Sequence, residues 1–479
     1  MRVKGVAGAL LSALLMGGAV APVLARSSQP ANEPVTPRMP PSSAYQSPSL
    51  ARDPSQGRDL ALAYHDGSNL ETCYLALSSD GGRSWRRVAL VGKDAVHPFP
   101  ESFMQCLNPA VAFGSGGTLY YVYYVRQSGG NLGDAVGIIS SDDGSKTFST
   151  PRLVDQTDGP QAWARDLCEQ DPCDYQAGIA VDRRSDRIYV TWTRGCYVCG
   201  PGGIFVAASG DGGVTFDPPV HLSSPLPTRD SALLSSVTVG RDGAVHVAWL
   251  DWSNYYTAAF SVPLVLNVST STDGGETFSS STVGEIQPTC PQLYCNYLWW
   301  FPSDSLTQVA ADRKGRVYVA TWHKLGPLQD RVAPRPGDNY RIFFSSSPDG
   351  GTTWTPLEPV GVPEGAEDHD QHRPQLTIGA GGRIDLVYYD ISPDSQQHVY
   401  RIHSTDGGIT FSTPVRITNV PHDARIGPPG FDSDRAAALG SNLASASSGK
   451  RLFAVWTDSR RGTPDDGHQD LYFAKMRVP

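Results

Sequence analysis

Ser404-Thr405-Asp406-Gly407-Gly408-Ile409-Thr410-Phe411 decides the fold, because it is the last of six copies of one pattern. The pattern is Ser-x-Asp-Gly-Gly-x-Thr-Phe/Trp. It recurs as SSDGGRSW (Ser78 to Trp85), SDDGSKTF (Ser141 to Phe148), SGDGGVTF (Ser209 to Phe216), STDGGETF (Ser271 to Phe278) and SPDGGTTW (Ser347 to Trp354). Two copies, at Ser78 and Ser141, depart from it at one position each. Most follow a short apolar-rich run such as YLALS, IFVAAS or RIFFSSS, and each precedes another short strand. The Asp carboxylate accepts hydrogen bonds from turn amides, and the glycines supply positive φ. A Ser or Thr hydroxyl closes the loop, and the aromatic residue returns to the core. The six aspartates, Asp80, Asp143, Asp211, Asp273, Asp349 and Asp406, are therefore read as turn formers and not as catalysts.

A second kind of strand lies upstream of each turn: LALAYHD from Leu60, LYYVYYV from Leu119, IYVTWTR from Ile188, VHVAWLD from Val245, VYVATWH from Val317, IDLVYYD from Ile384 and LFAVWTD from Leu452. There are seven of these, spaced by about 65 residues. Before each lies one more short strand: SLARD, PAVAF, AGIAVD, SSVTVG, TQVAAD, PQLTIG and a looser AAALGSNLASAS. The repeating unit is thus four strands, with the Asp motif between the third and the fourth. A four-stranded sheet repeated radially is a propeller blade. The expected fold is all-β: a seven-bladed β-propeller of four-stranded antiparallel blades. A six-bladed ring with an irregular extra unit is the alternative. The last unit ends on its third strand, DLYFAKM, so its fourth must come from elsewhere. The segment before Ser49 is available to close the ring and remove the exposed edge. Its prolines, Pro34, Pro37, Pro40 and Pro41, are tolerated on an outermost strand.

Composition agrees with the repeat. The 479 residues include 49 glycines, 38 prolines, 10 tryptophans and only 5 methionines, with 18% charged residues. That turn-rich profile excludes a coiled coil, a helical bundle and a disordered chain. Length alone would suggest about three domains, but the repeat makes residues 46–479 a single propeller. The net charge of −9 and pI near 5.6 offer no electrostatic footprint for a phosphate backbone, so nucleic acid is excluded as a partner.

Residues 1–25 have the form of an export signal: Arg2 and Lys4, an apolar stretch from Val6 to Leu24, and a small-residue site at Val23-Leu24-Ala25. Residues 26–45 form a Pro-rich leader. No later segment is long and apolar enough to span a bilayer, so no membrane association is expected after cleavage. The expected location is secreted, periplasmic or at the cell surface. Eight cysteines in an exported chain read as disulfides. Three couples are close in sequence, Cys168–Cys173, Cys196–Cys199 and Cys290–Cys295, which leaves Cys73–Cys106. A zinc site from the four middle cysteines, or a cross-pairing of the two middle couples, stays open.

The Asp motif resembles the Asp box, or bacterial neuraminidase repeat, and the chain resembles the sialidase superfamily over essentially its whole mature length. The resemblance implies a carbohydrate-acting propeller, in the first instance a glycoside hydrolase. It also implies three arginines holding a sugar carboxylate, a Tyr nucleophile with a partnering Glu, and an Asp acid. The Phe/Tyr-Arg-Ile-Pro motif of that family is absent. The nearest stretch is Thr36-Pro37-Arg38-Met39-Pro40, which keeps only Arg-x-Pro.

In a propeller, the loops leading into the innermost strands ring one mouth of the channel. Here they are chemically rich: CEQDPCDYQ (Cys168 to Gln176), PTRDS (Pro227 to Ser231), WWFPSDS (Trp299 to Ser305), EDHDQHRPQ (Glu367 to Gln375) and GFDSDRA (Gly430 to Ala436). Asp174, Asp230, Asp304 and Asp370 stand at similar distances before the second strand of their blades, and Asp434 sits in a longer loop. These carboxylates have three readings: loop caps, a hard-cation site such as calcium, or acid/base catalysis. No cofactor beyond such a cation is indicated. Arg229, Arg373 and Arg435 could hold an anionic sugar or pair with neighbouring aspartates. His369 and His372 flank Asp370 in the densest titratable cluster of the chain. Trp299, Trp300 and Phe301 offer a stacking platform for sugar rings, or pack on the channel or a disulfide. Trp252, Tyr255 and Tyr256 give a second aromatic group. Tyr388 and Tyr389 end their strand, where alternation would bury one and expose the other.

The candidate catalytic residues are therefore Asp370, Asp434, Asp304 and Tyr389, and the candidate substrate-binding residues are Arg229, Arg373, Arg435, Trp299, Trp300, His369 and His372. The expected protein is a monomeric, exported glycosidase acting on an acidic glycan. Two rivals remain: a non-catalytic propeller binding glycan or protein, and a polysaccharide lyase using the His369/His372 cluster.

Overall fold

A computed structural model describes residue 1 and residues 29–36, 45–67, 72–98, 103–127, 135–156, 177–194, 203–223, 232–251, 253, 262–287, 307–325, 339–427 and 443–479. These residues form seven antiparallel sheets arranged as blades. From the axis outward, blade one is Tyr45–Arg52, Leu60–Asp66, Thr72–Ser78 and Arg86–Gly92. Blade two is Phe103–Phe113, Leu119–Gln127, Ala135–Ser141 and Arg152–Gln156. Blade three is Gly178–Val181, Ile188–Arg194, Gly203–Ser209 and Val220–His221. Blade four is Ala232–Val239, Val245–Asp251, Leu264–Ser271 and Ser279–Ile286. Blade five is Thr307–Ala311, Val317–Lys324, Tyr340–Ser347 and Glu358–Val360. Blade six is Asp370–Ile378, Ile384–Ile391, Gln396–Ser404 and Val415–Arg416, with His422–Asp423 pairing on the same third strand. Blade seven is Leu443–Ser448, Arg451–Asp458, Asp470–Arg477 and Glu33–Pro34. The seven-bladed expectation holds, and the six-bladed alternative is excluded.

The outermost strand of blade seven is therefore supplied from the start of the ring. Glu33 lies opposite Phe473 and Pro34 opposite Tyr472. Val35 N donates to Leu471 O at 2.8 Å, and the Thr36 hydroxyl donates to Asp470 Oδ1 at 2.9 Å while accepting from Leu471 N at 3.1 Å. Proline is tolerated on this edge strand because half of its backbone faces away from the ladder.

The second strands are buried along nearly their whole length, because each is sandwiched by blades on both faces. Such strands read as continuous apolar runs rather than alternating ones. This corrects the expectation for Tyr388 and Tyr389. Both side chains are buried, since the sheet has no solvent face for either to occupy. The innermost strands carry small or neutral polar residues at one equivalent position: Ser49, Ala110, Gly178, Ser236, Gln308, Gln375 and Ala444. They line a narrow axial channel of about 180 Å³.

Each repeated turn is tied in the way its sequence predicts. Asp349 Oδ1 accepts from Thr352 N (3.1 Å), Thr353 N (2.8 Å) and the Ser347 hydroxyl (2.8 Å), while Oδ2 accepts from the Thr353 hydroxyl (2.6 Å). The hydrogen bonds from Thr215 and Thr353 lead those holding Asp211 and Asp349 down at about 2, and the other four aspartates are held lower than usual for the same reason. The second glycine of the turn has a further duty. Gly82 (φ 87°) lies so close to Phe473 of blade seven that a Cβ would come within 2.2 Å of its ring. Gly408 meets Phe344 of blade five in the same way, at 2.3 Å. The turn is thus a docking point on the preceding blade as well as a hairpin. The motif aromatics complete it: Trp85 packs edge-on to Phe473 and Phe411 edge-on to Phe344.

A disulfide joins Cys73 in blade one to Cys106 in blade two, with Cα atoms 5.6 Å apart. The other six cysteines, Cys168, Cys173, Cys196, Cys199, Cys290 and Cys295, lie outside the described residues. No helix among the described residues is long and apolar enough to cross a membrane.

Candidate functional site

The starts of the first and third strands and the ends of the second strands meet at one mouth of the channel. The repeated Asp turns lie at the other. Three of the seven second strands end in Asp, at Asp66, Asp251 and Asp458, and a fourth carries Asp390 one residue before its end. These aspartates recur in the quoted strand sequences, and that recurrence is the signal that could have marked them as mouth residues.

Of the predicted site residues, Asp304, Asp434, Arg229, Arg435, Trp299 and Trp300 lie outside the described residues. The remaining five belong to blade six. Asp370 opens its innermost strand and is buried, with Oδ1 accepting the Tyr340 amide at 2.8 Å. Tyr389 is buried on the second strand, where its hydroxyl donates to Thr457 O at 3.1 Å and accepts from Thr457 N at 3.0 Å. Burial pushes its phenol well up. Tyr389 therefore bridges blades six and seven rather than facing the open mouth.

His369 is the one of the five that meets solvent, with its side chain 27% exposed. It stands one residue before the strand. Its Nδ1 lies 2.6 Å from Asp390 Oδ1, and Asp390 Oδ2 accepts from Gln371 Nε2 at 2.8 Å. Asp390 is buried, which raises its carboxyl, while the hydrogen bonds from His369 and Gln371 oppose that shift. With Nδ1 donating to the carboxylate, the neutral ring carries its lone pair on Nε2, which lies 3.9 Å from Oδ1 of the exposed Asp368. Arg341 holds the loop from behind, donating to the carbonyls of Glu367 and His369. Burial lowers its guanidinium, and Asp370, Asp390, Glu367 and Asp368 oppose this by supporting the charge. The unit is a part-exposed histidine held by a buried carboxylate on a pinned loop, an arrangement chemically able to transfer a proton.

A second, wholly buried polar chain lies deeper. His372 Nε2 meets Gln397 Oε1 at 3.2 Å, and Gln397 Nε2 reaches His422 Nε2 at 3.4 Å. His422 Nδ1 lies 3.3 Å from Asp458 Oδ2, and Asp458 also takes the Arg460 fork (2.9 and 2.7 Å) and Trp456 Nε1 (2.8 Å). Burial holds both histidines below their ordinary values, His372 the more strongly, with the Arg373 charge adding to the effect there. His372 and His369, expected to act together, are thus divided between an inner network and an outer one. Arg373 is buried too, in the left-handed region (φ 52°) at a bulge before Pro374. That conformation costs about 1–2 kcal/mol in a non-glycine residue.

Among the described residues no group of three or more His, Cys, Asp or Glu side chains is arranged to hold a metal ion.

No protein-family profile and no curated protein sequence matches the chain. Solved structures with similar backbones include the Hadza microbial sialidase Hz136, at TM-score 0.43 and 14% identity, covering 87% of this chain and 73% of that one. The Penicillium chrysogenum α-L-arabinanase complexed with arabinobiose aligns at TM-score 0.46 and 11% identity, over 94% and 98%. The leech intramolecular trans-sialidase complexed with 2,7-anhydro-Neu5Ac aligns at 0.45 and 11%, over 88% and 83%. Similarity at this level concerns the ring of blades alone; the seven-bladed propeller itself rests on the seven sheets described above.

Proposed function

We propose that the protein is an exported carbohydrate-cleaving enzyme, a glycoside hydrolase for an acidic glycan, working at the mouth of blades five to seven. The observation that carries this reading is the His369–Asp390 pair, a part-exposed imidazole whose Nδ1 lies 2.6 Å from a buried carboxylate. In this scheme Nε2 of His369 takes or returns the proton of the attacking water or the leaving oxygen. Asp390 and Gln371 hold the ring, and Arg341 holds the loop. Glycan cleavage needs one such proton-transfer group and a second group that attacks or activates water. The acidic-glycan substrate and the second group rest on the sequence expectation for Asp304, Asp434, Arg229, Arg435, Trp299 and Trp300, which lie outside the described residues. The sialidase and arabinanase named in the similar structures act on sugars, which supports a carbohydrate substrate class. The Cys73–Cys106 disulfide supports an oxidising, extracytoplasmic location.

The test is turnover of sialosides, arabinans and uronate polysaccharides by purified protein, beside His369→Ala. Release of sugar by the parent protein and its loss in the variant is the expected outcome. A parent that cleaves none of these substrates leaves a non-catalytic binder and sinks the enzyme reading. The lyase remains as a second reading, because the solvent-facing base is a histidine rather than a carboxylate. An ultraviolet-absorbing unsaturated product would establish it over the hydrolase.

A further inference from the structure

On the Asp-turn face, blade seven differs from the other six. Its third strand runs into Lys475-Met476-Arg477, where the others run into an Asp turn. Arg451, at the start of the second strand, lies directly opposite Arg477. Like charges directly opposed across two strands are destabilising. Two residues along each strand, Phe453 lies opposite Lys475, whose ammonium is 5.8 Å from that ring and 3.4 Å from Gly81 O of blade one. Ser448, Lys450, Arg451, Lys475, Met476 and Arg477 line an open groove of about 620 Å³. Exposed Arg58 and Arg83 of blade one add their charge to the surroundings of Lys475, and the turn carboxylate Asp80 offsets part of it. Among the described residues none of these basic side chains forms a salt bridge with a carboxylate. Elsewhere Arg187, Arg316 and Arg425, for example, pair with an Asp. An acidic chain thus gathers unneutralised cations into one groove at the seam where the ring closes.

We propose that this groove is an anion-binding subsite, separate from the mouth, that holds a carboxylate- or sulfate-bearing sugar unit. Its volume falls within the range of about 300–1,000 Å³ typical of small-molecule sites. The two opposed arginines supply planar forks for a carboxylate or sulfate, the geometry in which guanidinium binds such groups bidentately. The repeated turns of this face carry ionised carboxylates held low by their hydrogen bonds. That frame repels an extended polyanion or an anionic membrane and favours a compact anionic group. The choice of a sugar rests on the carbohydrate reading of the mouth; the anion site itself does not.

The test is calorimetric binding of a sulfated or uronate oligosaccharide to the full chain and to the R451Q/R477Q double variant. A neutral oligosaccharide, inorganic sulfate, a short DNA duplex and anionic vesicles serve as comparison ligands. The proposal expects binding of the anionic oligosaccharide that weakens with salt and falls at least tenfold in the double variant. Turnover of a small substrate at the mouth stays unchanged in that variant. Equal affinity of parent and variant overturns the subsite, as does DNA or vesicle binding that exceeds oligosaccharide binding, or binding of sulfate alone. Absence of turnover in both proteins, with anionic-oligosaccharide binding present in the parent and lost in the variant, overturns the enzyme reading and leaves the subsite standing.

Discussion

Nδ1 of His369 lies 2.6 Å from Oδ1 of Asp390, and the carboxylate is buried while the ring meets solvent. A carboxylate in that position acts on the tautomer and orientation of the ring, not on the substrate. Asp390→Asn keeps the shape but removes the charge, and with its carbonyl held by the Gln371 amide it turns an N–H donor towards Nδ1. We expect kcat to fall by about 10²–10⁴, with little change in KM, since a wrong tautomer disables the base without emptying the site. An Asp390→Asn protein with the parent's kcat would falsify the positioning role.

Buried histidines make the ring sensitive to mild acid. Burial lowers His65 and His246 from 6.5 to about 4, and His372 and His422 also lie below their ordinary value. The unfolded chain binds these protons near pH 6.5, whereas the folded chain resists until about pH 4. The stability they contribute is therefore complete above pH 6.5 and is lost as pH falls towards 4. A group as buried as His65 accounts for about 3 kcal/mol over that window. Denaturant midpoints measured from pH 7.5 to 4.5 should fall steadily, and His65→Gln should flatten part of the slope. A midpoint constant across the window contradicts the assignment. The Asp turns titrate elsewhere: with carboxyls held low, their contribution is present above pH 3.8 and lost only towards about 2.

The repeated turn predicts a gain as well as losses. Ser145 occupies the second-glycine position of its copy and takes φ 62°. Ser145→Gly relieves a left-handed conformation and is expected to raise stability by up to about 1 kcal/mol. Gly82→Ala does the opposite, because its Cβ meets the Phe473 ring. Thermal melts of the two variants should move in opposite directions, and a shared direction would count against the docking role of the turn.

How far the sequence was legible follows from these elements. The six turns and seven second strands repeat locally, so blade number and strand order could be read without coordinates. The mouth could not be read as well. IDLVYYD and LFAVWTD look like apolar strands with a stray Asp; the pairing of the first two strands of blade six brings Asp390 to His369, and the packing of blade seven on blade six brings Asp458 to His422. His422 itself sits in a two-residue strand too short to carry any periodicity. Tyr388 and Tyr389 misled for a related reason: alternation predicts one exposed side chain, but a blade packed on both faces has no outside.

Removal of the Cys73–Cys106 disulfide tests the seam between blades one and two. Its cysteines are 33 residues apart. A loop of that length stabilises by about 3–4 kcal/mol through the unfolded chain. The Cys73→Ser/Cys106→Ser protein should show a lower denaturant midpoint, and so should the parent protein under reductant. Equal midpoints with and without reductant would show that the bond does not constrain the fold.

The ring is closed by very few residues, which makes its closure testable by truncation. Glu33 and Pro34 cover the edge of Asp470–Arg477, and Thr36 binds both Asp470 and the Leu471 amide. Thr36 is buried, so Thr36→Val leaves a buried carboxylate short of a donor and a buried amide short of an acceptor. The expected cost is about 1–3 kcal/mol. A chain beginning at residue 37 goes further and bares a strand edge rich in Leu471, Tyr472 and Phe473. Exposed edges of that kind pair with other chains. Compared with a chain beginning at residue 29, it should aggregate at concentrations where the longer chain stays monodisperse by light scattering. Adding the 29–36 segment as a separate peptide should restore part of the loss, because the missing strand needs no covalent link to occupy the edge. A shortened chain as monodisperse and as stable as the longer one would show that the seventh blade holds with three strands.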